Sequence, residues 1–192
     1  MCRCLRRTSK TKPVVQIPEP LETNLTLIPE SERLVPQIHS LVGFTEAQQK
    51  KMEESIVLCC AAMNTVEFRH RVLAYRFQAP PVQSELVYRQ IMSGDDLYGT
   101  ADKDLDVHLT LYYSWKNVVA YTYENTPRVY INSKFFNVWP LYKIAGNIAH
   151  EVAAHNAGFT HSYKNSPYRK HSVPYAVQLI VEDIAKKISK GL

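Results

Sequence analysis

The chain has no apolar run approaching the roughly 20 residues of a membrane-spanning helix, no CxxC pair, no internal repeat and no low-complexity block. The first absence leaves no candidate helical span. Without a CxxC pair, and with the adjacent Cys59 and Cys60 badly placed to bridge each other, the four cysteines offer no disulfide framework. Cys59 and Cys60 are expected as packed small hydrophobes; Cys2 and Cys4, set among basic residues, are positions where an acyl chain could be carried. Arg3, Arg6, Arg7, Lys10 and Lys12 open the chain like a signal peptide, but Pro13 arrives before an apolar stretch of about 7–15 residues develops. Secretion is therefore not encoded here in the usual way.

What is present fits one domain. The 192 residues suffice to bury a core without covalent staples, and 45% hydrophobic with 21% charged residues is the balance of a soluble globular protein. The formal net charge of +5 permits acidic partners without requiring nucleic acid. Residues 1–40 form a basic, proline-rich N-terminal tail, since Pro13, Pro18, Pro20, Pro29 and Pro36 forbid long helices there. Leu25, Leu27 and Ile28 suggest that its second half docks on the domain at 41–192, and the segment to about Pro36 is expected to be removable.

Thr45 and Gln48 form a capping box, and Met52, Ile56, Cys59, Cys60 and Met63 recur at helical spacing behind it. Val66 to Phe77 reads as a strand, with Phe68, Val72 and Tyr75 among charged residues. A short helix is expected from Ser84 to Met92, stopped by Ser93-Gly94. Val107, Leu109 and Leu111 alternate with polar neighbours as on a half-buried strand. Strands at 117–123 and 128–132 follow, separated by a turn at Glu124-Asn125-Thr126-Pro127. Pro140 suits the first turn of a helix reaching about Ala157, with Leu141, Ile144, Ala145, Ile148 and Val152 as its apolar stripe and Gly158 as its stop. A last helix covers 174–190. This order is α+β.

The densest chemistry lies at the end of the Pro140 helix. His150-Glu151 is followed by His155, Gly158 and His161, three of the chain's seven histidines within twelve residues. This stretch, HEVAAHNAGFTH, resembles the HExxHxxGxxH signature of metzincin zinc metalloproteases, and Ser172-Val173-Pro174-Tyr175 resembles a shortened Ser-x-Met-x-Tyr segment of their astacin-like members. The likeness covers roughly residues 105–180. It implies a twisted, mostly antiparallel or mixed sheet packed on an active-site helix, in a single metalloprotease-like domain. It also implies zinc held by His150, His155 and His161, with Glu151 as general base and Tyr175 as oxyanion stabiliser. The substrate would be a peptide or protein, aligned on an edge strand. The likeness further implies a secreted or extracytoplasmic setting, although no signal peptide is legible.

Two features depart from the signature. No methionine follows Met92, so the floor methionine has no counterpart. The spacing is HExxxH, and on an α-helix His150 and His155 would diverge by roughly 140°. A π-bulge at Val152-Ala153-Ala154 would realign them; alternatively Glu151, four residues before His155, would replace His150 as ligand. The remaining polar residues have plainer readings. His171 belongs to a solvated basic loop, Arg169-Lys170-His171; His108 is a solvent-face strand residue; Asp102, Asp104 and Asp106 form a charged turn rather than a calcium loop; and Tyr175 fits either packing or catalysis.

Three functions follow. The first is zinc-dependent peptide-bond hydrolysis by a small metalloendopeptidase. The second is a catalytically inactive relative that keeps the fold and binds metal or protein. The third is a basic nucleic-acid-binding module stacking bases on Tyr112, Tyr113, Tyr121 and Tyr123, a reading no recognised motif supports.

Overall fold

The computed structural model describes residues 25–78, 80–94, 101–123, 126–161 and 166–191. Cys2, Cys4, the basic opening run, and Glu124-Asn125 of the expected turn lie outside the described residues. After a 3₁₀ turn at Glu30–Glu32 come strand β1 (Val35–Val42) and helices α1 (Glu46–Met63), α2 (Val66–Leu73) and α3 (Ser84–Met92). Strands β2 (Asp104–Tyr112), β3 (Ala120–Thr122) and β4 (Arg128–Asn132) follow, then helices α4 (Ser133–Phe136), α5 (Leu141–Ile148) and α6 (Val173–Ile188). The class is α+β, as expected, with six α-helices and one mixed sheet among the described residues. No helix among the described residues is long and apolar enough to cross a membrane.

The strand order is β1-β2-β4-β3. Of the two expected arrangements, mostly antiparallel or mixed, the sheet is mixed: β1–β2 and β2–β4 run parallel, and only β3–β4 is antiparallel. The helices α1–α3 return the chain between β1 and β2, which is what a parallel pair needs. β3 is then laid outside β4, joined to it by a short connection, and becomes an edge. Leu105, Val107, Leu109, Val129 and Ile131 are buried on the inner face, which meets α1 and the segment after α5, while α6 packs along α5.

Local sequence explains most of the helices. Thr45 Oγ1 accepts from the Gln48 amide and Gln48 Oε1 from the Thr45 amide, completing the expected capping box. Cys59 and Cys60 are buried and unbridged within the core. Where a strand is expected at Val66–Phe77, Val66–Leu73 is instead helix α2, and no strand forms between it and Phe77 among the described residues. Thr65 Oγ1 caps the Phe68 amide, and Phe68 and Val72, four residues apart, both fall on its buried face.

The tail boundary at residue 40 also moves. β1 is a full member of the sheet, and Ile28 and Leu34 are buried. Leu27 bridges Thr65, the Val66 amide donates to Thr26 O, and the Asn64 side chain pairs with both backbone polar groups of Leu34. The Asn64 bonds satisfy both backbone polar groups of buried Leu34. The chain from Thr26 onward is therefore integral to the fold.

Candidate metal centre

Pro140 precedes α5, whose Ile144, Ala145 and Ile148 are buried. From Ala149 to His155 the helix continues as a π-helix. Its i→i+5 bonding absorbs one residue per turn, so residues five apart stand on one face as residues four apart do in an α-helix. The small side chains of Ala149, Ala153 and Ala154 crowd this wider turn least. His150 and His155 thus come together, with ring centroids 5.0 Å apart.

Gly158 ends the segment at φ +83, and nothing lies within 4 Å of where its Cβ would be. Glycine is needed there for its backbone angle, not for space. The Gly158 amide donates to His155 O and the Phe159 amide to Ala154 O, and buried Phe159 seats the turn. His161 then returns to the helix, 5.1 Å from His155 and 5.8 Å from His150 between ring centroids. One ring nitrogen of each histidine lies within 4.8 Å of the others, and these three could hold a metal ion. Glu151, buried in the same turn, is not a member of that group.

Hydrogen bonds assign the ring nitrogens. His155 Nδ1 is 2.7 Å from Phe159 O. A carbonyl only accepts, so Nδ1 carries the proton and the Nε2 lone pair is left for the site. His150 Nδ1 is buried with no hydrogen-bond partner among the described residues. An orphaned ring nitrogen among imidazoles suits a metal ion, because the donor set is neutral and its lone pairs converge.

Burial sets the charge states. Desolvation, aided by His155 and His161, lowers the pKa of His150 to about 3. Desolvation likewise lowers that of His155 to about 4. Desolvation raises Glu151 to about 7.

Helix α6 and the 3₁₀ turn before it complete the site. Tyr175, in the first turn of α6, has its ring 4.6 Å from that of His150 and 5.5 Å from that of His161. The sequence places Arg169 in a solvated basic loop, yet its guanidinium turns inward. Its Nε donates to Tyr175 Oη at 3.3 Å, its Nη2 lies 3.2 Å from His161 Nε2, and its carbon sits 5.2 Å from the Tyr175 ring centroid. Ser172 Oγ donates to Arg169 O and holds that turn. Nothing in the run Arg169-Lys170-His171 distinguishes the inward cation from its neighbours.

His171 bonds Tyr75 Oη through Nδ1 and stays outside the cluster, and His108 is stacked on His39, with ring centroids 4.6 Å apart. Asp102 Oδ1 accepts from the Asp104 amide in a charged turn leading into β2. Compared with known proteins, the chain matches no family model, no curated protein and no solved structure.

Proposed function

We propose that the chain is a small zinc-dependent metallopeptidase of metzincin-like design. The observation that supports this reading best is the convergence of His150, His155 and His161 across a π-turn and a left-handed glycine, despite the HExxxH spacing. Zinc bound there would polarise a carbonyl and activate water, the chemistry that peptide hydrolysis requires.

The chain's own residues supply the rest. His155 is fixed in one tautomer by Phe159 O, so its lone pair is oriented before any ligand arrives. Glu151 is a buried carboxyl beside the first histidine with its pKa raised to about 7, where it can both take and return a proton near neutral pH. Tyr175 stands beside His150 and His161 as a hydroxyl donor for a developing oxyanion. β3, the edge strand beside the π-turn, presents backbone groups on which an extended peptide can align.

Among the tyrosines named for nucleic acid, Tyr121 contacts Tyr112 and Tyr123, as well as Tyr130, at 5.0–5.4 Å between ring centroids, and Tyr113 packs on Trp115. This arrangement favours a sheet-surface cluster over a base-binding platform.

Purified protein is expected to hold about one equivalent of zinc, with a catalytic site formed by three protein ligands. His161→Ala should lose the metal. Glu151→Gln should retain it and lose peptide cleavage by about a hundredfold or more. Elemental analysis and a quenched-fluorescence peptide assay check both. A zinc-loaded, inert wild type would favour the inactive relative, and a protein that takes up no zinc would end the metal reading.

A further inference from the structure

A guanidinium carries only donors, so in the contact between Arg169 Nη2 and His161 Nε2 the imidazole must accept. A neutral imidazole has one lone pair. While Nε2 accepts from Arg169, Nδ1 must carry the proton. Ligation through Nε2 would need the lone pair that Arg169 occupies. Ligation through Nδ1 would move the proton to Nε2 and set two donors against each other. Either mode breaks the bond. A dication a few ångströms away would also repel the guanidinium.

We infer that Arg169 and a metal ion are alternative partners of His161, so that metal loading displaces the Arg169 guanidinium from the imidazole while Tyr175 retains it at the rim of the site. Two contacts form the tether: the Nε hydrogen bond to Tyr175 Oη and the packing of the guanidinium carbon near that ring use atoms other than Nη2. Arg169 thereby keeps His161 in a single tautomer and orientation when metal is absent, and sets how tightly metal is held. It is a positioning residue for the centre. The inference rests on the metal-site reading of His150, His155 and His161.

The test measures zinc affinity by competition with a chromophoric chelator for full-length wild type, Arg169→Met and Arg169→Lys, with His161→Ala as reference. Removing a competing hydrogen bond from a charged donor should tighten zinc binding in Arg169→Met by roughly tenfold to a hundredfold. Arg169→Lys, which keeps a cationic donor, should stay nearer wild type. Zinc bound by wild type but no tighter by Arg169→Met overturns this inference and leaves the metal reading standing. Zinc bound by no variant overturns both.

A second measurement needs no variant. Long-range ¹H–¹⁵N spectra of the metal-free wild type should show His161 as the Nδ1–H tautomer, and saturating zinc should shift the Arg169 side-chain nitrogens. Arg169 signals that ignore saturating zinc overturn the inference.

Discussion

Acid should unfold the metal-free protein through His150 and His155. In the unfolded chain each takes a proton near pH 6.5, whereas in the fold they do so only near pH 3 and 4. Between those values the unfolded chain binds more protons, so stability is fully present above about pH 6.5 and drains away as pH falls. Glu151 acts in the opposite sense. Its folded pKa of about 7 lies above its ordinary value, so its burial is best tolerated in acid and its contribution is lost as pH rises toward 7. The two effects overlap, and Glu151→Gln removes the opposing one. The melting temperature of metal-free Glu151→Gln should therefore fall more steeply from pH 7 to pH 4.5 than that of wild type. Equal slopes would show that Glu151 does not oppose the histidines, and a melting temperature that holds from pH 7 to pH 4.5 in Glu151→Gln would show that histidine burial does not couple the fold to pH. The histidines, the glutamate and the glycine were all legible as residues, because their order alone suggests a metal site. Arg169 was not, because its inward turn depends on Ser172 and Tyr175, which the chain brings back only through the 3₁₀ turn before α6.

Among the elements, the π-turn carries the clearest expectation. If its function is to realign His150 with His155, deleting Ala154 should allow an ordinary α-turn to do the same, and zinc affinity should stay within about tenfold of wild type. Inserting a further alanine beside Ala153 should abolish zinc binding, since neither helix type then aligns the rings. A folded deletion variant without zinc would show that the π-turn shapes more than the spacing. The contact between α5 and α6 offers a second test. A Cβ on Gly146 would meet Glu182 Cγ at 2.2 Å and Gln178 O at 3.0 Å. Gly146→Ala should therefore lower the melting temperature, although alanine favours a helix over glycine by about 1 kcal/mol. Glu182→Ala added to it should restore part of the loss; an unchanged melting temperature in Gly146→Ala would mean that the two helices part easily. The capping box of α1 and the glycine after the π-turn were readable because each is a local bond or a local angle. α2 stands where the sequence suggests a strand because Phe68, Val72 and Tyr75 sit among charges without a long period, and the Thr65 cap decides the matter.

For the molecule as a whole, the chief correction concerns where the fold begins. Truncation through Pro36 should unfold or severely destabilise the protein. It removes buried Ile28 and Leu34, each contributing about 1.5–3 kcal/mol, and strands the Asn64 side chain without Leu34. Circular dichroism and thermal melting decide it, and a truncated chain with a native melt would make the segment an accessory after all. The α+β class was legible from the alternation of periods along the chain. Strand order was not, because parallel pairing of β1 with β2 and the outward placement of β3 follow from which faces the helices cover, a matter of packing between segments distant in sequence.

The π-turn also bears on how related sites are found. A signature that fixes the number of letters between two ligands assumes a uniform helical pitch, and one added residue defeats it even where the ring geometry survives. Descriptors that tolerate either pitch, such as HExx(x)HxxGxxH, or three imidazoles with centroids 5.0–5.8 Å apart beside a left-handed glycine, would gather this chain with regular-pitch sites. Sorting chains by text alone would file the two apart.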